Sequence, residues 1–243
     1  MFAVLTYRRD WDETEFFATG EAEISEVMAY TRGLGLNAET GRALDFGCGV
    51  GRLTRALGTH FEEVVGVDIS APMVDRARAL NCDYASCRFV VNTRPDLEGF
   101  DSESFDFVYS NITLQHMPWS AAQGYLKEFV RVIKPHGAVV FQLPTQVKDE
   151  YRKPAPLALL GRMRSALGVT LRLGRRHMEM HCTPIDRVER AVETSGGVLR
   201  DAKPDEREGR RWEGYRYTVV KAGSVAGLSD LIRPLPGPPV QPS

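Results

Sequence analysis

This 243-residue chain predicts an α/β fold, a parallel sheet covered by helices on both faces. Two observations carry that expectation. From Arg42 onward, short apolar runs alternate with helix-like segments, the rhythm of strands joined by crossover helices. A glycine-rich turn joins the first run to its helix, and open α/β sheets hold ligands at such C-terminal strand ends.

The elements follow in order. RALDF (42–46) reads as the first strand, and GRLTRAL after the turn as a helix start. EVVGVD (63–68) is a second strand. The helix after it opens with Ser70, a side chain able to cap free N–H groups, and Pro72, harmless in a first turn. RFVV (88–91) and FDFVYS (105–110) are strands three and four. Leu126, Phe129, Val130 and Ile133 fall at i, i+3, i+4, i+7, so 121–133 predicts an amphipathic helix. Pro135 and Gly137 should end it before a fifth strand, AVVFQL (138–143). Thr183-Pro184 opens another helix to about Ser195, and Gly196-Gly197 stops it. VLRDA (198–202) and GYRYTVVK (214–221) complete the set as strands.

The flanks divide the chain further. Residues 1–41 predict a helical cap, with Ile24, Val27 and Met28 inward and Trp11, Phe16 and Phe17 either sealing a site against water or anchoring the helix. Residues 42–143 are the core, 144–182 an inserted lid with some helix around 155–167, and 183–221 a helix and β-hairpin. The proline-rich stretch within 222–243 reads as a disordered tail.

Composition excludes several classes. The 31 basic and 32 acidic residues leave a net charge of −1, against the basic excess usual for nucleic-acid binding. A hydrophobic content of 43% is too high for intrinsic disorder. No window approaches the ~20 apolar residues of a membrane span, and the N-terminus lacks a signal-peptide stretch. Cys48, Cys82, Cys87 and Cys182 form neither a CxxC pair nor a zinc series, so free thiols are expected. These features predict a soluble, cytoplasmic protein without nucleic-acid or membrane partners.

The informative stretch is ALDFGCGVGRLTRAL. Glycines at 47, 49 and 51 let the backbone turn sharply and approach a ligand, and the helix start offers free N–H groups. Cys48 could touch a ligand through its backbone, its thiol being incidental. A dinucleotide site wants G-x-G-x-x-G, but the third position counted from Gly47 is Arg52. The sequence instead reads D-x-G-x-G-x-G from Asp45. That pattern resembles motif I of the class I, Rossmann-like S-adenosylmethionine-dependent methyltransferases, specifically the small-molecule group with a type 11 or 12 domain.

Further motifs match in order over roughly 42–143. Asp68 ends the second strand, where the resemblance implies contacts to ribose hydroxyls, and Ile69 and Met73 occupy adenine-packing positions. Asn92 stands where the family reads the adenine amino group. FDFVYSNITLQHMP is similar to the fourth-strand motif, with Ser110, Asn111 and Gln115 near the methionine end of the cofactor. VIKPHGAVVFQLP resembles the turn into strand five, with Pro-His-Gly for Pro-Gly-Gly. The resemblance thus implies a seven-stranded, mostly parallel sheet with an antiparallel last strand, and cofactor contacts at Asp45, Gly47, Cys48, Gly49, Gly51, Arg52 and the residues just named. It implies S-adenosylmethionine as cofactor, no metal, and a small-molecule acceptor. The rivals are a binding module without turnover and an NAD(P) oxidoreductase.

Catalysis is less legible. Methyl transfer needs an aligned nucleophile and, for an oxygen or nitrogen acceptor, often a base. His116, in LQHMP, is the candidate base, with loop orientation as its other role. His177 and His181 would share a face if helical, without the glutamate pattern of a metal helix. Residues 151–176 carry seven bases and no acid within 152–176. They read either as a lid attracting an anionic acceptor or as a solvated basic face. RWEGYRY (211–217) reads as the last strand's edge rather than a base-stacking surface. The acceptor's identity, the methylated atom and the oligomeric state are not written in these motifs.

Overall fold

The computed structural model describes residues 12–36, 40–151, 179–205 and 211–223. Trp11, His177, the expected helix near 155–167, the seven bases of 151–176 and the tail beyond 223 lie outside the described residues. Seven strands form one sheet: β1 (Arg42–Phe46), β2 (Glu63–Asp68), β3 (Cys87–Val91), β4 (Phe105–Ser110), β5 (Ile133–Val147), β6 (Gly197–Asp205) and β7 (Trp212–Lys221). Their order is β3-β2-β1-β4-β5-β7-β6. Strands β1 to β5 pair in parallel, while β7 runs antiparallel to both β5 and β6. The strand order reverses between β1 and β4, and an open sheet of this kind leaves a crevice there.

Alternation along the strands assigns the two faces. Ala43, Phe107, Tyr109 and Val140 pack against Ile24 and Val27 of α1 (Glu13–Gly33) and Leu53 and Leu57 of α2 (Arg52–Leu57). Leu44, Val108, Val139 and Tyr217 pack on the opposite face against Leu126 and Phe129 of α4 (Trp119–Val132) and Val188 of α5 (Ile185–Thr194). Between β2 and β3 lies α3 (Ala71–Leu80). Asp12 caps α1 by accepting from the Thr14 and Glu15 N–H groups. Gly20 lets α1 lie close on α2, since a Cβ there would stand 2.6 Å from the Arg52 carbonyl oxygen.

Four expectations need correction. Ser70 occupies the N-cap of α3, but its side chain caps nothing. The fifth strand begins directly at Ile133: residues 134–137, with Pro135 and Gly137, form an irregular excursion between Phe105↔Ile133 and Phe107↔Ala138, so the two residues displace the ladder without ending the strand. β5 also runs past 143 to Val147, because β7 goes on pairing with it where β4 has ended. The 211–217 aromatics enter β7, which is flanked on both sides, and Tyr217 stacks on Phe141 with centroids 5.1 Å apart.

Candidate active site

The glycine turn is held by its own backbone. The N–H groups of Gly47 and Cys48 both donate to the Val67 carbonyl, at 2.7 and 3.0 Å. Gly47 has φ +83°, and a Cβ on it would meet Thr113 Oγ1 at 2.1 Å, so both its conformation and its neighbour demand glycine. The Gly49 N–H donates to Asp68 Oδ2 at 2.9 Å, and the Ser70 N–H to Asp68 Oδ1 at 2.8 Å. Each carboxylate oxygen keeps a further lone pair. Asp68 is thereby fixed at the end of β2, beside the glycine turn.

A cavity of about 310 Å³ opens here, at the lower end of the range for small-molecule sites. Gly47, Asp68, Ile69 and Asn92 line it, together with Phe46, Thr113, Met117 and Tyr125. Ile69 is 72% exposed, an apolar side chain left uncovered at the rim. Asn92 Nδ2 donates to the Asp96 carbonyl and its Oδ1 accepts from the Arg94 N–H, which folds the 92–96 turn along the wall.

Other residues of the expected set face elsewhere. The Asp45 carboxylate lies beneath the loop, accepting from the Thr54 hydroxyl at 2.6 Å, and burial pushes its pKa up to about 7. The Cys48 side chain packs among Val74, Ala77 and Phe89, where burial raises its thiol well above the usual range. Met73 packs against Phe16, Phe17 and Val50 and is outside the cavity lining. Phe16 and Phe17 are buried anchors of α1 below the glycine turn. Arg52 turns toward α1, pairing with Glu23 at 3.0 Å.

Glu23 escaped the sequence reading. It is buried, and it accepts from Arg52 through Oε2 and from the Tyr109 hydroxyl and Asn111 Nδ2 through Oε1, at 2.8 and 2.6 Å. One side chain of α1 therefore ties the start of α2 to the end of β4. The available signal was Glu23 as the sole acidic member of the inward stripe Phe16, Gly20, Glu23, Val27, Thr31.

The loop after β4 is the second half of the site. Ser110 Oγ donates to the Phe46 carbonyl, bridging β4 to β1. Ile112 has φ +54°, a strained conformation for a β-branched residue, and its N–H donates to Gln142 Oε1 at 3.2 Å. Leu114–His116 form a 3₁₀ turn. His116 Nδ1 lies 3.1 Å from the Glu179 carbonyl oxygen, which can only accept, so Nδ1 donates to it; Nε2 lies 3.2 Å from the Gln115 carboxamide. The His181 N–H donates to the Gln115 carbonyl and the Thr183 N–H to the Pro144 carbonyl. Residues 179–184 are thus laid as non-helical chain along this loop, which removes the helical premise for pairing His181 with His177. Among the described residues no group of three His, Cys, Asp or Glu side chains could hold a metal.

A methyltransferase-domain family model matches residues 44–141. Residues 44–141 are thus similar to a methyltransferase domain. Among curated proteins it is 34% identical over 125 residues to 2-methyl-6-phytyl-1,4-hydroquinone methyltransferase of Synechocystis, covering 51% of this chain and 38% of that protein. It is also 34% identical over 99 residues to malonyl-[acyl-carrier protein] O-methyltransferase of Salmonella typhimurium, covering 40% and 37% respectively. The chain therefore spans well under half the length of these two relatives. Among solved structures, magnesium protoporphyrin IX methyltransferase of Synechocystis with bound SAH aligns over 88% of this chain and 90% of that one, with TM-score 0.58 and 18% identity. An S-adenosylmethionine-dependent methyltransferase of Clostridium acetobutylicum aligns over 88% and 94%, with TM-score 0.60 and 14% identity. Likeness to these solved structures thus extends over most of the chain, well beyond residues 44–141. No helix among the described residues is long and apolar enough to cross a membrane.

Proposed function

We propose that this chain is an S-adenosylmethionine-dependent methyltransferase acting on a small-molecule acceptor. The observation that carries the reading is the cavity at the sheet's switch point, with Asp68 anchored by the Gly49 N–H on one side and exposed Ile69 at the rim. Asp68 has lone pairs left for the ribose hydroxyls, and Ile69 with Met117 and Tyr125 offers apolar surface for adenine. Asp45, Cys48, Gly51 and Arg52 serve the site by shaping the loop, through Thr54, Val67 and Glu23. Ser110, Asn111 and Gln115 stand on the loop assigned to the methionine end. When bound, S-adenosylmethionine supplies a methyl group on a sulfonium sulfur. The protein's part is to align the acceptor with that carbon and exclude water.

His116 has both ring nitrogens engaged, by the Glu179 carbonyl and by Gln115, which favours a role in positioning the 179–183 chain over the site. The described end of the expected lid, residues 179–182, is proposed to cover the acceptor. A dinucleotide reading is disfavoured because Arg52 fills the third-glycine position and is buried against Glu23. The test is transfer of labelled methyl from S-adenosylmethionine into a metabolite extract, beside calorimetric binding of S-adenosylhomocysteine. Binding with transfer is expected; binding without transfer would leave a binding module, and the absence of both would refute the proposal.

A further inference from the structure

Two buried carboxamides, one just after β4 and one within β5, have open hydrogen-bonding positions, and their orientations are fixed by chemistry. Asn111 Nδ2 faces the Glu23 carboxylate, which can only accept, so Asn111 Oδ1 points away from it. Gln142 Oε1 accepts from the Ile112 N–H, so its NH₂ group must point away from that peptide. Asn111 is 7% and Gln142 2% exposed, yet neither Asn111 Oδ1 nor Gln142 Nε2 has a partner among the described residues. A buried polar atom without a partner is costly unless a ligand or water meets it.

Their place in the sheet brings the two together. Ser110 pairs with Phe141, so Asn111 and Gln142 follow at the same level on adjacent strands. Tyr109 and Val140, two residues earlier, both face α1, which puts Asn111 and Gln142 on that same face. Gln142 belongs to β5, on the far side of β4 from Asp68 and Ile69. In-line displacement requires the acceptor to approach opposite the departing sulfur. The strand beyond β4 is therefore the side from which an acceptor would come. The Ile112 peptide between the two amides is the strained one, at φ +54°, and Gln142 holds it.

Resting on the methyltransferase reading, we propose that Gln142 and Asn111 form the specificity site for the acceptor. The Gln142 NH₂ donates to, and Asn111 Oδ1 accepts from, one uncharged group carrying both a lone pair and a hydrogen, such as a hydroxyl or carboxamide. Glu23 is a positioning residue that sets which way Asn111 presents its oxygen. An anionic group at this spot would set a second acceptor against the Asn111 oxygen, which only accepts, and is rejected.

The test uses the full chain with labelled S-adenosylmethionine and a metabolite extract separated into neutral and anionic fractions, for wild type and Gln142→Glu. The substitution keeps an oxygen for the Ile112 N–H and removes the donor. Label is expected in the neutral fraction, with transfer falling at least tenfold in Gln142→Glu while S-adenosylhomocysteine affinity stays within twofold. Should that variant fail to fold, Gln142→Met, apolar and of similar length, is read the same way. Label confined to the anionic fraction, or undiminished transfer by the folded variant, overturns the inference and leaves the methyltransferase reading standing. A crystal structure of the acceptor complex with only water between the two amides also overturns it. Absence of both binding and transfer in wild type overturns the two together.

Discussion

Replacing Asp45 by asparagine should change how the stability of this protein depends on pH. Asp45 is 1% exposed, and its carboxyl, which ordinarily titrates near 3.8, is held up to about 7 by burial. The folded state therefore holds a proton that the unfolded chain has released at pH 5 to 7. Between those values unfolding free energy should fall by up to about 1.4 kcal/mol per pH unit from this group alone. The contribution is complete below the unfolded value and lost as pH rises through about 7. Integrated over the whole shift, it amounts to about 4 kcal/mol. Asparagine keeps an oxygen for the Thr54 hydroxyl and carries no titrating proton. Urea unfolding of both proteins at pH 5, 6, 7 and 8 measures the difference. Asp45→Asn should gain roughly 2–3 kcal/mol on wild type across that range. Parallel pH dependences would refute the assignment of a protonated, desolvated carboxyl beneath the glycine turn.

Three further outcomes are expected. Glu23→Ala leaves Arg52 buried without its partner and should cost about 3–5 kcal/mol, read by urea unfolding, with Glu23→Gln costing less. Gly47→Ala should abolish S-adenosylhomocysteine binding in a calorimeter, because the added carbon meets Thr113 at 2.1 Å at a φ of +83°. His116→Asn should lower kcat less than tenfold and leave the shape of the pH–rate profile unchanged; loss of a limb near pH 6–7 would instead identify the ring as the base.

The parallel core was legible because β1, β2 and β4 are short, mostly apolar runs buried on both faces, and such runs are visible without partners. The glycine turn was legible for a related reason: glycine is demanded by the backbone itself. What escaped depended on partners distant in sequence. The end of β5, PTQV, has little apolar character, and only pairing with β7 extends the strand there. Glu23 and Gln142 each acquire their meaning from residues on other elements, Asn111 and Ile112, which no local pattern encodes. Met73 has the right spacing from Asp68 for an adenine contact, and it packs, half-buried, against the cluster of Phe16, Phe17 and Val50. Pro135 and Gly137 look like a stop, and the sheet absorbs them as an irregularity instead.

The most direct measurement of the central claim is a calorimetric comparison of S-adenosylhomocysteine, NAD and NADP binding to wild type and to Asp68→Ala. The account expects S-adenosylhomocysteine alone to bind wild type, and its affinity to fall at least tenfold in Asp68→Ala. Binding of NAD or NADP alone, or S-adenosylhomocysteine affinity untouched by Asp68→Ala, would contradict it.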